Sequence, residues 1–301
     1  METIEIVKSE IRNPQSAIRN SNLPIGIFDS GVGGLTVYRA LHERLPHEHF
    51  VYLGDTARVP YGTKSLSTVE RYAIENAKFL EGHGIKLLVV ACNTASALAL
   101  PAIRAAVRIT VVGVIDPGAR AAVEIAGARK IGVIATEATV QSGAYASAIA
   151  RINPTIEVIE RACPLFVPLA EEGWADTEVA RAVAAEYLQD FTKEDIGALV
   201  LGCTHYPILR DLIGDVIGRS APLIDSGEAA AGEVEALLES SGLSSAQAER
   251  GTERQLCDDL DHFYVTDAAE RFAKVAERFL GAAPSVLEAV EVWGHDELRT
   301  H

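Results

Sequence analysis

Short runs rich in Val, Ile and Leu alternate with amphipathic segments along most of the chain, and this alternation narrows the fold more than any other feature. A strand covered by helices on both faces reads as a nearly unbroken apolar run, whereas a strand with one wet face alternates with period two. The runs IGIF (from Ile25), FVYLG (Phe50), KLLVVA (Lys86), TVVGVI (Thr110), KIGVIA (Lys130), TIEVIE (Thr155), ALVLG (Ala198) and PLIDS (Pro222) read as strands, most of them covered on both faces. They predict an α/β fold with mostly parallel sheets. The intervening STVERYAIENAKFL spaces its apolar residues as a helix does. It opens with Ser67 and Glu70 in capping-box register and stops at Gly82 and Gly84.

The chain also repeats itself. Cys92 in ACNTAS matches Cys203 in GCTHYP, and VIDPGARAA from Val114 matches LIDSGEAAA from Leu223. IGIFDSGVGG from Ile25 pairs with IGVIATEATV from Ile131, and VPYG from Val59 with VPLA from Val167. The four pairs keep one order at a spacing of roughly 110 residues, which predicts two pseudo-symmetric α/β domains with a cleft between them. Crossings near Asp116 and Asp225 give a discontinuous first domain, 24–115 plus 226–301, and a second domain, 116–225. Residues 1–23 are polar and read as a flexible leader. Ligands of open α/β sheets bind beyond the carboxyl ends of strands, where both cysteines fall.

With 42 acidic and 27 basic residues the formal charge is −15, a field that opposes nucleic acid and anionic membranes as partners. An anionic small molecule must therefore be held by local groups. No apolar run approaches the ~18 residues of a membrane helix, and the first residues lack the apolar core of a signal peptide. A cytoplasmic location is expected. Cys92, Cys163, Cys203 and Cys257 form no C-x-x-C pair, which argues against a zinc finger or a disulfide framework.

In ACNTAS a strand ends at Cys92 and a helix begins near Thr94, so the thiol faces the positive end of a helix dipole, a setting expected to lower its pKa. GCTHYP repeats the device with Cys203 and adds His205, able to stabilise a thiolate or relay a proton, while Pro207 suits a first helical turn. FDSGVGGLT offers Asp29, Ser30 and a glycine turn of Gly31, Gly33 and Gly34. A dinucleotide site is disfavoured there, because Thr36 occupies the place of the third glycine and Asp29 would press a carboxylate toward a pyrophosphate. A tight turn whose N–H groups receive a small carboxylate, with Asp29 facing an ammonium, fits better. GDTARVPYG is either an ordinary turn or a loop over the ligand. In PLAEEGWAD, Glu171 and Glu172 are candidates, at least one of them belonging to a solvated acidic face. Cys163 and Cys257 lack counterparts and read as structural.

A matched pair of thiols suits a reaction that is itself nearly symmetric. In racemisation one base removes a proton from a stereocentre while an acid on the opposite face returns one, and the two exchange roles between directions. A thiol combines a pKa not far above neutrality with a small cost of burial when neutral.

The motifs IGIFDSGVGGLTV, YLGDTARVPYG, VVACNTAS, ATEATVQSGAY and LVLGCTHYPIL, running in order from about Pro24 to Asp225, resemble those of the glutamate racemases in the cofactor-independent aspartate/glutamate racemase family. The resemblance implies interconversion of L- and D-glutamate for peptidoglycan synthesis, with no cofactor and no metal. It implies that Cys92 acts on D-glutamate and Cys203 on L-glutamate, assisted by Asp29 and His205, with Asp55 and Glu171 at acidic positions linked to activity. Asp29, Ser30, Tyr61, Gly62, Asn93, Thr94, Thr204 and His205 would contact substrate, and homodimers are common in the family. The residues alone leave three rivals: an aspartate racemase, a zinc hydrolase using Cys92, Cys203 and His205, and a non-catalytic amino-acid binding module.

Overall fold

Among the described residues of a computed structural model, 21–218, 221–245 and 254–293, the strands form two sheets in which every pairing is parallel. The first sheet holds β1 (Ile25–Asp29), β2 (Phe50–Gly54), β3 (Leu87–Val90), β4 (Thr110–Gly113), β9 (His262–Val265) and β10 (Val286–Ala289) in the order β10-β9-β2-β1-β3-β4. The second holds β5 (Lys130–Ala135), β6 (Val158–Ala162), β7 (Ile196–Gly202) and β8 (Leu223–Asp225) in the order β6-β5-β7-β8. The run β2-β1-β3-β4 is thus reproduced strand for strand by β6-β5-β7-β8. The repeated motifs sit on two copies of one topology.

The strands are covered by α1 (Leu35–Arg44), α2 (Leu66–Gly82), α3 (Asn93–Leu98), α4 (Leu100–Ala106), α5 (Ile115–Ala126), α6 (Glu137–Ser142), α7 (Ala144–Ile152), α8 (Phe166–Glu171), α9 (Glu178–Leu188), α10 (Arg210–Ile217), α11 (Ser226–Ser241) and α12 (Ala269–Leu280). All of β1 and β7 is buried, as their unbroken apolar runs require, and each such Ile, Leu or Val contributes about 1.5–3 kcal/mol on leaving water. In α12 the buried side chains are Phe272, Val275, Ala276, Phe279 and Leu280, a single helical stripe. Its other faces carry Arg271 and Arg278, which reach α8.

Several local expectations are corrected. The N-cap of α2 is Ser65, whose hydroxyl accepts the N–H of Thr68, and Ser67 lies inside the first turn. Of TVVGVI only the first four residues are strand; Ile115 already opens α5, where Pro117 needs no N–H partner in a first helical turn. Val114 and Leu223 are therefore not equivalent, since Leu223 begins β8. The strand expected at TIEVIE begins only at Val158 and is a half-buried edge. Residues 1–20 of the expected leader lie outside the described residues. At Ser21 the chain is already anchored, for this residue is buried and its carbonyl accepts a hydrogen bond from Lys86 Nζ at 2.7 Å. No helix among the described residues is long and apolar enough to cross a membrane.

Candidate active site

Each reactive turn follows the third strand of its copy. After β3 the chain enters α3 with Cys92 as N-cap, whose sulfur receives the N–H of Ala95 at 3.5 Å and whose thiol donates to Ser30 Oγ at 3.3 Å. Ser30 itself follows β1, the strand beside β3. After β7 come Cys203, Thr204 and His205, leading into a short 3-10 turn, Tyr206–Leu209, that has Pro207 near its start. The Cys203 sulfur lies 3.8 Å from Nδ1 of His205, and Nε2 of the same ring lies 3.0 Å from Oε1 of Glu171. Glu171 is held in turn by α12: Arg271 donates to its Oε2 at 3.3 Å, and the Arg278 guanidinium donates to its carbonyl oxygen.

Both sulfurs line one cavity of about 60 Å³ between the sheets. Its walls obey the repeat. Ser30 is matched by Thr136, Val59 by Val167, Cys92 by Cys203, Asn93 by Thr204 and Thr94 by His205, every one of them a lining residue. Tyr61 and Gly62 complete the lining from the loop after β2. Thr136 was not among the residues expected from sequence, although pairing Ser30 with its repeat partner points straight to it. Its hydroxyl is 2.9 Å from that of Thr94 and 3.0 Å from that of Thr139, so the two copies meet through hydroxyls at the cavity wall. A second bridge runs from the Asn93 amide to Tyr145 Oη at 2.9 Å and Ser226 Oγ at 3.1 Å.

Three expected residues stand partly or wholly behind the cavity wall. Asp29 is not among the lining residues; it is fully buried beneath the glycine turn, its Oδ2 accepting the N–H of Gly31 at 2.9 Å. Tyr61 reaches the cavity with its ring, but its hydroxyl is turned away to donate to Asp55. Asp55 itself is a buried hub, accepting from Arg58 Nε at 2.7 Å, Asn76 Nδ2 at 3.1 Å and Thr266 Oγ1 at 3.0 Å, and it supports the Tyr61 loop from behind. Glu172 is the exposed member of its acidic pair. Cys163 and Cys257 are buried free thiols outside the cavity.

Electrostatics makes the two arms unlike. The Cys92 thiol is pushed up to about 12, first by burial and then by the Asp29 carboxylate, against the hydrogen bonds to Ser30 and Ala95. This corrects the expected lowering: the dipole of a six-residue helix contributes at most ~2 kcal/mol and loses to desolvation here. Burial alone would depress the His205 imidazole, but its bonds and charge interactions with Cys203 and Glu171 raise it to about 10. It is an imidazolium at neutral pH, with one N–H toward sulfur and the other on Glu171. For Glu171, burial pushes upward and is overcome by His205 and Arg271, which leave its carboxyl below the ordinary range. Asp29 is raised by burial, opposed by the charge of His205 and by the N–H groups of Gly34, Gly31 and Ser30. Among the described residues no group of three or more His, Cys, Asp or Glu side chains is arranged to hold a metal ion.

Two copies of a parallel α/β unit, each offering one thiol to a shared small cavity, define a two-fold repeated α/β architecture with its candidate site where the copies meet. The family model for Asp/Glu/Hydantoin racemase matches residues 25–234, and the chain belongs to that racemase family. It is 53% identical over 257 residues to the glutamate racemase of Geobacter metallireducens, covering 85% of this chain and 92% of that one. The crystal structure of glutamate racemase from Francisella tularensis in complex with D-glutamate superposes with a TM-score of 0.82 at 40% identity, covering 90% of this chain and 98% of that one. The glutamate racemase from Thermus thermophilus, in complex with beta-chloro-D-alanine, gives a TM-score of 0.79 at 46% identity, covering 92% of this chain and 99% of that one.

Proposed function

We propose that this protein interconverts L- and D-glutamate by proton transfer between the substrate α-carbon and two thiols, Cys92 and Cys203. One observation carries the reading: both sulfurs reach the same 60 Å³ cavity from the same place in two copies of one strand order. The identity to glutamate racemases supports glutamate over aspartate. D-glutamate as product suits a supply role in peptidoglycan synthesis. The domain reading, 24–115 plus 226–301 and 116–225, goes with it.

For L-glutamate, the sulfur of Cys203 takes the α-proton. The electron pair left on carbon is then captured by the proton of Cys92, delivered from the opposite face as its S–H bond breaks. The surroundings suit this order, since the His205 imidazolium faces Cys203 while Cys92 is held as a neutral acid. The opposite protonation state serves D-glutamate, and Asp29, buried beside the Cys92 arm, favours return of its proton. Thr94, Asn93, Thr204, Ser30 and the Tyr61–Gly62 loop bind and orient the substrate. The reading calls for no cofactor, because both proton carriers are side chains.

Incubation with L-glutamate in D₂O tests this reading. Decay of optical rotation with deuterium at the α-carbon of the D-product is expected. Exchange with aspartate but not glutamate would move the substrate one methylene shorter, and binding of glutamate without any exchange would leave a binding module.

A further inference from the structure

Thr36 takes no part in the proton path, and it stands where a dinucleotide turn would carry its third glycine. Its hydroxyl lies 2.8 Å from the carbonyl oxygen of Thr204, in the other copy of the fold, and 3.1 Å from that of Gly33 in its own turn. Thr36 is 8% exposed and Thr204 6% exposed, so the bond joins two buried residues. The carbonyls on either side of Thr204 are already engaged, that of Cys203 by the N–H of Tyr206 and that of His205 by the N–H of Ile208. Thr36 satisfies the remaining carbonyl of the thiol turn.

The two turns also touch directly. A Cβ at Gly33 would fall 2.2 Å from Thr204 Oγ1 and 2.5 Å from the His205 ring, so the glycine is what lets the turns meet. Behind Thr36 is a separate cavity of about 240 Å³, which is also lined by Pro207 and Ile208, the residues that follow the Cys203 turn. Without the Thr36 hydrogen bond, the Cys203 turn has space to retreat into.

We propose that Thr36 is a positioning residue: its hydroxyl fastens the Cys203–His205 turn to the glycine turn that serves Cys92, and so sets the spacing of the two sulfurs across the substrate. The proposal rests on the two-thiol reading above. It follows that the hydroxyl acts on the step in which both sulfurs must be aligned with one carbon, so its loss falls on kcat in both directions more than on KM.

The experiment compares Thr36→Val, which keeps the shape and removes the hydroxyl, with Thr36→Ser, which keeps the hydroxyl. Glutamate racemisation is followed in both directions, and alkylation of Cys203 by iodoacetamide is measured by mass spectrometry against buried Cys163 as internal reference. The valine variant is expected to lose about tenfold to a hundredfold in kcat, the scale of a misplacement on the order of 1 Å, and to alkylate Cys203 faster relative to Cys163. Serine is expected to restore both readouts. If the valine variant does not fold, Thr36→Ala takes its place with the same outcomes required. A valine variant with parental kcat and parental Cys203 reactivity overturns the assignment, and so does a serine variant as impaired as valine. A parent that leaves glutamate unchanged while Cys203 reactivity still rises in the valine variant would sink the racemase reading and support the fastening of the turns.

Discussion

Nε2 of His205 stands 3.0 Å from Oε1 of Glu171, so the imidazolium beside the Cys203 sulfur is gripped from behind by a carboxylate that α12 in turn holds through Arg271. The first prediction concerns this contact. Glu171→Gln removes one of the two partners that raise His205, so the imidazolium gives up its proton at lower pH. The alkaline limb of the L-glutamate rate profile should move down by about one unit, equivalent to about 1.4 kcal/mol, with kcat close to parental near neutrality and reduced most near pH 10. Initial rates between pH 7 and 10 test it, and an unmoved limb would count against the contact.

The same ring makes stability depend on pH. Its folded value, about 10, lies above the ordinary imidazole value, so its contribution to stability is complete below the unfolded pKa and is lost as pH rises through about 10. Urea unfolding of the parent and of His205→Asn should therefore show a wide gap in midpoint near pH 6, closing toward pH 10. A gap that widens with pH would contradict the assigned charge.

Serine at either thiol should cost about 10²–10⁴ in kcat/KM, the usual share of an acid or base in proton transfer. Two enantiomers have equal free energy in an achiral solvent, so Cys92→Ser and Cys203→Ser must each lower kcat/KM equally in both directions. The separate kcat and KM values are free to diverge, and that divergence reports which arm was damaged. Either variant retaining parental kcat/KM would remove its sulfur from the mechanism.

Asp55 predicts an effect away from the cavity. It is fully buried, and Asp55→Ala takes the carboxylate acceptor from the Tyr61 and Thr266 hydroxyls while leaving Arg58 paired with Glu75 and Asn76. The expected loss is about 1–3 kcal/mol in urea unfolding, the cost of buried polar groups left without a partner. A raised KM should accompany it, because the Tyr61–Gly62 wall loses its support. A stable variant with unchanged KM would show that the hub does not position that wall.

How far the sequence could be read depends on what each element buries. β1, β3, β5 and β7 were plain because strands covered on both faces leave unbroken apolar runs, and their repetition exposed the doubled strand order. β10 was not, since Val286 and Leu287 are half-buried, Glu288 and Ala289 are exposed, and four edge residues carry no period. The cysteine turns, Ser30, Thr94 and His205 were legible from motif and repeat, and Thr136 was available through the same repeat. The depth of Asp29 was not, because a carboxylate at a strand end looks alike whether or not a glycine turn folds over it. The direction of the Cys92 shift was likewise hidden, since it is decided by desolvation, a property of the packed surroundings.

The chain leaves the six-stranded sheet after β4, builds β5 to β8, and comes back for β9 and β10. The inserted unit is thus moored to its neighbour by two separate stretches of backbone. Two backbone crossings suit a hinge, a swing about the axis through them, and the hydrogen bond from Asn93 to Ser226 Oγ lies beside the returning stretch. On the two-thiol reading, a swing of that kind would part the two sulfurs along one arc and bring them back into register.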